Sequence, residues 1–238
     1  MRCRLCGEDK ELISAHLIPK WAYRDISGTG GEGTDIVLAA KGKTKRRPVG
    51  TYDKNILCGE CDNFIGQYDA YGKEVILGKK LENKGQHHYL INGVDLDKFT
   101  LFLLSVAWRE SISNAEESEL VKIGPYEERI RTILLDRQLR KKIALDGYSF
   151  IVCKFQRGDL PETVVDKIIQ TPHLQRLETI NVFVLYLPRA YKIYLKLDRR
   201  SFPDELERVS KAYTNSIPVL MLGDYSSSDE FRAMLSAI

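Results

Sequence analysis

Two Cys-x-x-Cys pairs constrain the fold of this chain more than any other feature. Cys3 and Cys6 form the first pair and Cys58 and Cys61 the second, so the pairs hold four of the five cysteines. Each pair places two thiolates on a tight turn, and Zn²⁺ prefers four such soft ligands in a tetrahedron. A redox pair or a disulfide is the alternative, but neither pair lies in a strand–helix–strand pattern. We therefore predict one structural Zn²⁺ site that joins both ends of the first third of the chain.

The composition is that of a folded protein with room for two domains. The 238 residues are 43% hydrophobic and 29% charged, which is typical of a chain that buries a sizeable core. No apolar run approaches the roughly 20 residues that span a bilayer, and the start, Met1-Arg2-Cys3-Arg4, lacks the apolar core of a signal peptide. We expect a cytoplasmic protein with no membrane partner, in a compartment where thiols stay reduced and can bind metal.

The predicted elements change in character near residue 80. Before it they are short: a strand over 11–16, a helix that Pro19 opens, a strand over 36–40 and an amphipathic helix over 63–77. After it we predict an α+β arrangement: helices over 97–113, 125–135, 203–212 and 228–237, and strands over 149–155, 179–186 and 191–197. The sequence thus predicts a small zinc-binding domain, 1–80, followed by a larger mixed α/β domain with an antiparallel sheet, 81–238.

The order of motifs in the first third resembles a known nuclease family. A Cys-x-x-Cys pair is followed by a His-x-x-Pro element, His16 to Pro19, and then by an Asn-x-x-Cys-x-x-Cys element that begins at Asn55. This order resembles the zinc-stapled HNH endonucleases, over about residues 3–75. The resemblance implies a treble-clef, ββα-metal fold for the first domain. It also implies a hydrolase that cleaves phosphodiester bonds in nucleic acid, with DNA as the favoured partner.

The resemblance also implies roles for particular residues. His16 stands where the family has the general base that activates water, and Asn55 stands where it has the motif asparagine. Phosphodiester cleavage needs a hard divalent cation as well, and Asp62 and Asp53 offer the oxygen ligands that Mg²⁺ or Mn²⁺ prefers. This catalytic ion is distinct from the structural zinc, whose four sulfur ligands leave no open position.

Each of these residues has a structural interpretation beside the functional one. A histidine between apolar neighbours can be buried against a backbone carbonyl, Asn55 can cap a turn, and Asp62 can cap the following helix. Ala15 stands where the family commonly has a metal-binding Asp or His. That residue favours the alternative function, a catalytically inactive treble-clef module that binds zinc and a nucleic acid or protein partner.

A basic cluster between the cysteine pairs is the candidate nucleic-acid contact. The net charge of +3 is too small to indicate nucleic acid by itself, so a local concentration of charge has to carry the argument. We expect the cluster to form a hairpin loop, and a solvated loop without a ligand is the alternative. For the larger domain the sequence assigns no role: a homodimer contact, a surface for a protein partner, target choice and a sensor surface are the alternatives. The cluster places five basic residues within seven positions: Lys41, Lys43, Lys45, Arg46 and Arg47.

Overall fold

A computed structural model describes residues 1–24, 37–40, 43–46, 50–85, 89–118, 121–136, 147–160, 170–198, 200–210 and 215–235. This part of the chain forms six α-helices, a seven-stranded mixed sheet and two two-stranded antiparallel sheets. The predicted α+β class is therefore confirmed. None of the described helices has the length and apolar character that crossing a membrane requires.

Short elements make up the first part of the chain. The predicted strand over 11–16 is reduced to two residues, which pair with a second two-residue strand. The helix predicted from residue 63 begins four residues earlier, because the second Cys-x-x-Cys turn is itself the first helical turn. The elements are β1 (Ala15–His16), α1 (Trp21–Arg24), β2 (Val37–Ala40), β3 (Lys43–Arg46), β4 (Tyr52–Asp53), α2 (Gly59–Lys73) and a π-helical turn, Glu74–Gly78.

The remaining elements build the large sheet and the helices that cover it. Strands β7 and β11 are parallel neighbours, and the other five neighbouring pairs are antiparallel, in the order β5-β6-β11-β7-β10-β9-β8. The elements are β5 (Leu81–Asn83), β6 (Tyr89–Asn92), α3 (Leu96–Ile112), α4 (Tyr126–Leu135), β7 (Phe150–Gln156), β8 (His173–Leu177), β9 (Ile180–Leu187), β10 (Tyr191–Lys196), α5 (Asp204–Ser210), β11 (Ser216–Asp224) and α6 (Asp229–Leu235). Two 3-10 turns complete them, Glu116–Ser118 and Tyr225–Ser227.

Helix α3 lies at the centre of the core. All residues from Phe99 to Ile112 are buried, so the helix is covered on every side. The ring of Phe99 lies 5.3 Å from that of Phe150 in β7, and the ring of Phe102 packs against Gly72 of α2. One apolar core therefore runs from the cysteine pairs through α3 to the sheet. The division of the chain at residue 80 stays a prediction.

The sheet is buried on both faces. In β9, Phe183 and Leu185 belong to the core around α3, whereas Val184 and Tyr186 belong to a second apolar cluster. Successive side chains of a strand point to opposite faces, so the two clusters lie on opposite sides of the sheet. Residues of α5 pack against the second cluster. The strands β7, β9 and β10 are accordingly buried at most positions.

Candidate metal centre

The four paired cysteines meet in space. The Sγ atoms of Cys3, Cys6, Cys58 and Cys61 lie within 4.8 Å of one another, and all four thiols are free of disulfides. Tetrahedral Zn²⁺ with Zn–S bonds of about 2.3 Å needs neighbouring sulfurs roughly 3.8 Å apart. Small side-chain movements would therefore close four thiolates on one ion. The cluster can hold a metal ion, as the cysteine spacing predicted.

Backbone hydrogen bonds tie the two cysteine pairs together. The amide of Gly7 donates to the carbonyl of Cys3 at 2.9 Å and closes the first turn. Gly7 has a φ of +78°, a conformation that glycine adopts without steric cost. The amide of Arg4 donates to the carbonyl of Ile56 at 2.8 Å, which brings the first turn against the bend before Cys58. The donor set is thus assembled by the backbone as well as by the thiols.

The environment of the four thiols favours ionisation of one of them and opposes ionisation of several at once. Burial opposes ionisation of Cys3, but amide donors, led by Cys58 at 3.4 Å from Sγ, lower the pKa of its thiol to about 7. Burial and the neighbouring thiols raise the pKa of Cys61 well above its usual range. Four thiolates repel one another in so small a volume, whereas a bound divalent cation deprotonates its thiol ligands outright. The donor set therefore fits a soft divalent metal such as Zn²⁺.

His16 is positioned by the short antiparallel pair of strands β1 and β4. In its register Ala15 lies opposite Asp53, and His16 lies opposite Tyr52. Directly opposed residues share one face of a ladder and their neighbours take the other face. The rings of His16 and Tyr52 accordingly lie 6.3 Å apart. The side chain of Asp53 takes the other face, together with the fully buried Ala15.

A buried ion pair holds His16 and α2 against α3. Arg109 of α3 donates to both carboxylate oxygens of Asp69 in α2, at 2.6 and 2.9 Å. The same guanidinium donates to the backbone carbonyl of His16 at 2.9 Å. The side chains of Arg109 and Asp69 are only 2% and 15% exposed. Sequence reasoning missed Arg109, although a charged residue inside the apolar run of α3 was a signal for it.

Asp62 lies close to this network, in the first turn of α2. Burial raises the pKa of the Asp62 carboxyl, and the negative charge of Asp69 raises it further. The charges of Arg109 and His16 lower the same pKa. The charges of Asp62 and His16 therefore influence each other. Their roles as an ion ligand and a general base stay predictions.

Asp53 lies on the other face of the β1–β4 pair, and Asn55 follows β4. The two oxygens of Asp53 accept hydrogen bonds from the amide of Asn55 at 2.8 Å and from the hydroxyl of Ser113 at 2.9 Å. The amide of Asn114 also donates to Asp53, at 3.1 Å. Asp53 thus holds the end of α3, and the exposed Asn55 follows it in a turn. Their roles as an ion ligand and a catalytic residue stay predictions.

The basic cluster is only partly described. Lys43, Lys45 and Arg46 belong to strand β3, which pairs antiparallel with β2. Lys41 and Arg47 lie outside the described residues. The predicted hairpin is present, but the described part of the cluster forms its second strand, whereas we expected a loop. Binding of nucleic acid by these residues stays a prediction.

Comparison with known proteins does not assign this chain to a family. No protein-family model matches it, and neither does any curated protein or solved structure. The residues of the cysteine cluster and of the β1–β4 strand pair therefore have to carry the functional argument.

Proposed function

We propose that this chain is a zinc-stapled, HNH-like endonuclease that uses a divalent metal ion to hydrolyse phosphodiester bonds in nucleic acid, with DNA as the first substrate to test. One observation carries the proposal: His16 ends the short strand β1, and Arg109 links its backbone carbonyl to Asp69 of α2, the helix that also carries Cys61 and Asp62. A strand, a second strand and a helix joined by a cysteine cluster is the arrangement that the sequence resemblance implied. Free thiols suit the reducing cytoplasm, where we expect the protein to act.

Each residue of the proposed site has a distinct task. His16 accepts a proton from the attacking water, a role suited to an imidazole whose ordinary pKa is close to neutral. The carboxylate of Asp62 holds Mg²⁺ or Mn²⁺, which commonly binds through one or two carboxylates together with water and substrate phosphate. When bound, that ion offsets negative charge on the phosphate and the leaving oxygen. Arg109 fixes the backbone of His16 from α3.

A nicking assay tests the enzyme proposal. Supercoiled plasmid is incubated with the zinc-loaded protein and Mg²⁺ or Mn²⁺, and nicked product is quantified. We expect His16→Ala to lower the rate by about 10²- to 10⁴-fold, the usual worth of a general base. Asp62→Ala should lower it as well. His173→Ala is the matched control, because His173 lies in β8 at the far edge of the sheet and should leave the rate unchanged. Equal nicking by wild type and His16→Ala, with zinc retained in both, would refute the proposal.

The second candidate is a zinc-binding module without catalysis. It is favoured by Ala15, whose buried methyl group offers no ligand, and by Asp53, whose oxygens already accept hydrogen bonds from the protein. Such a module would bind a nucleic acid or a protein partner through its surface. Absence of cleavage on DNA and RNA, together with binding that weakens when Lys45 and Arg46 are neutralised, would favour this candidate over the enzyme.

A further inference from the structure

A cleft lined by three arginines opens beside the first cysteine turn. Its volume is about 480 Å³, within the range of ligand-binding sites, and it is open to solvent. Arg2, Arg4 and Arg131 line it, together with Asn55 and Cys3. None of the described residues that line it is acidic. We call these five residues the arginine cleft.

Two of the guanidinium groups approach the same point. Arg2 donates from Nε to the carbonyl of Gly7 at 2.7 Å, and Arg131 of α4 donates from Nε to the carbonyl of Arg4 at 3.0 Å. A Cβ atom added to Gly7 would lie 3.5 Å from Nη2 of Arg131 and 3.8 Å from Nη2 of Arg2. The Nε hydrogen bonds orient both guanidinium groups. Their Nη2 donors therefore converge near Gly7, which has no side chain to block them.

The charge of the cleft is offset only weakly by acidic neighbours. Arg131 pairs with Glu128 at 2.7 Å, but the Glu128 side chain is 71% exposed. Arg4 lies 3.9 Å from Glu127 and is itself 56% exposed. Such solvated pairs contribute little and are readily displaced by a stronger ligand. The cleft therefore remains an electropositive pocket with guanidinium donors in a fixed arrangement.

We propose that the arginine cleft binds phosphate groups of a nucleic-acid strand. The planar guanidinium matches phosphate oxygens through two parallel hydrogen bonds, and converging arginines make a phosphate site. This proposal rests on the proposed function for the identity of the polyanion, and it adds a binding surface formed by the first cysteine turn and α4. The competing explanation is that the arginines only offset the negative charge of a metal–thiolate cluster, since Cys3 also lines the cleft.

Salt-dependent binding tests the cleft independently of cleavage. Zinc-loaded full-length protein is titrated into fluorescein-labelled duplex DNA, its single strand and RNA of the same sequence, without added Mg²⁺ or Mn²⁺. We expect the double variant Arg2→Gln/Arg131→Gln to bind the preferred probe about 10- to 100-fold more weakly and to reduce the salt slope by about 2. The variant Arg4→Gln should weaken binding by a smaller factor, since its side chain is the more exposed.

Two controls separate phosphate binding from bracing of the metal site. Arg176→Gln is the matched control, because Arg176 is also exposed and donates from Nε to a backbone carbonyl, that of Glu178, at 3.1 Å. It should bind every probe as wild type does. The double variant Arg2→Lys/Arg131→Lys keeps both charges but loses the planar guanidinium donors, so it should bind more weakly than wild type and more tightly than the glutamine variant.

The outcomes distinguish the cleft from the nuclease. Weaker binding by the glutamine variants with unchanged zinc content supports the cleft, even if no probe is ever cleaved. Unchanged binding by those variants overturns it, even if His16-dependent nicking is intact. Loss of zinc from the lysine and glutamine variants alike would show that the arginines brace the metal site, and this also overturns it. No binding of any probe by wild type overturns the cleft, whereas the nuclease is decided separately by the nicking assay with Mg²⁺ or Mn²⁺.

Discussion

The N-terminal region, before residue 59, and the large sheet are built from elements of very different length. The strands and the first helix before residue 59 are two to four residues long, and four cysteines converge among them. The strands β7, β9 and β10 are six to eight residues long and bury side chains on both faces of a sheet. Two-residue elements bury little apolar surface by themselves, although the N-terminal residues share the core around α3. We therefore expect a metal ion on the four cysteines to add folding free energy in this region, whereas the long strands of the sheet need no such link.

Removal of a cysteine ligand should break this comparison most strongly. We expect Cys58→Ala to abolish metal binding and unfold the N-terminal region, because structural Zn²⁺ contributes on the order of 10 kcal/mol in small zinc modules. Cys153→Ala is the matched control, since Cys153 is buried in β7 and lies outside the cysteine cluster. Zinc content and amide exchange measure the outcome. Full zinc retention by Cys58→Ala would contradict the assignment of this residue as a ligand.

Loss of Arg109 should loosen the attachment of β1 and α2 to α3. Arg109→Met leaves the carboxylate of Asp69 buried without its partner and releases the carbonyl of His16, so we expect destabilisation of about 3–5 kcal/mol. The double variant Arg109→Met/Asp69→Leu removes both charges and should be less destabilised than the single variants suggest. Urea unfolding measures each variant. Additive effects in this cycle would show that the ion pair does not couple α2 to α3.

Two glycines of α2 sharpen the contrast between the buried and the open side of that helix. A Cβ atom on Gly72 would lie 2.7 Å from the ring of the buried Phe102, so Gly72→Ala should cost about 1–3 kcal/mol. A Cβ atom on Gly66 meets nothing within 4 Å, so Gly66→Ala should stabilise the helix by about 0.5–1 kcal/mol. Thermal unfolding compares the two variants. Equal effects at both positions would contradict the packing of α2 on α3.

A further small effect concerns a polar pair under the C-terminal helix. Lys192 of β10 donates to Glu230 of α6 at 2.5 Å. Burial opposes the charge of Glu230, but this hydrogen bond outweighs it and lowers the pKa of the carboxyl below 4.5. Burial likewise opposes the charge of Lys192, but Glu230 and Tyr194 raise the pKa of its amine above 10.5. The pair should therefore be fully charged between these two values.

Glu230→Gln tests that pair without changing its shape. A charged acceptor is worth about 1 kcal/mol more than a neutral one, so the variant should be about that much less stable at neutral pH. A lowered carboxyl pKa stabilises the folded state above 4.5, and the contribution is lost as the pH falls through the folded-state value. The gap between the two proteins should thus close in acid. Urea unfolding at several pH values measures this difference in the free energy of unfolding. A difference that widened in acid would contradict the lowered pKa of Glu230.

Local sequence patterns predicted several elements closely. The helix expected over 97–113 is observed at Leu96–Ile112, and the strand expected over 179–186 at Ile180–Leu187. In both segments a long apolar pattern with a clear period distinguishes a helix from a strand. Strand β11 was not predicted, because Pro218 and Gly223 interrupt its apolar run and disfavour a strand in local terms. Pairing with β6 and β7 on either side outweighs that preference.

The candidate site likewise has one part that the sequence predicts and another that only the tertiary structure shows. Cysteine spacing by itself determined that four thiols could share one metal ion, because ligand chemistry and two tight turns are local properties. Only the tertiary structure decided that Arg109 joins Asp69 to His16 and that Asp53 faces away from His16. It also brought Arg131 of α4 to the first cysteine turn. These contacts depend on strand register and helix packing between residues far apart in the chain, which no local pattern specifies.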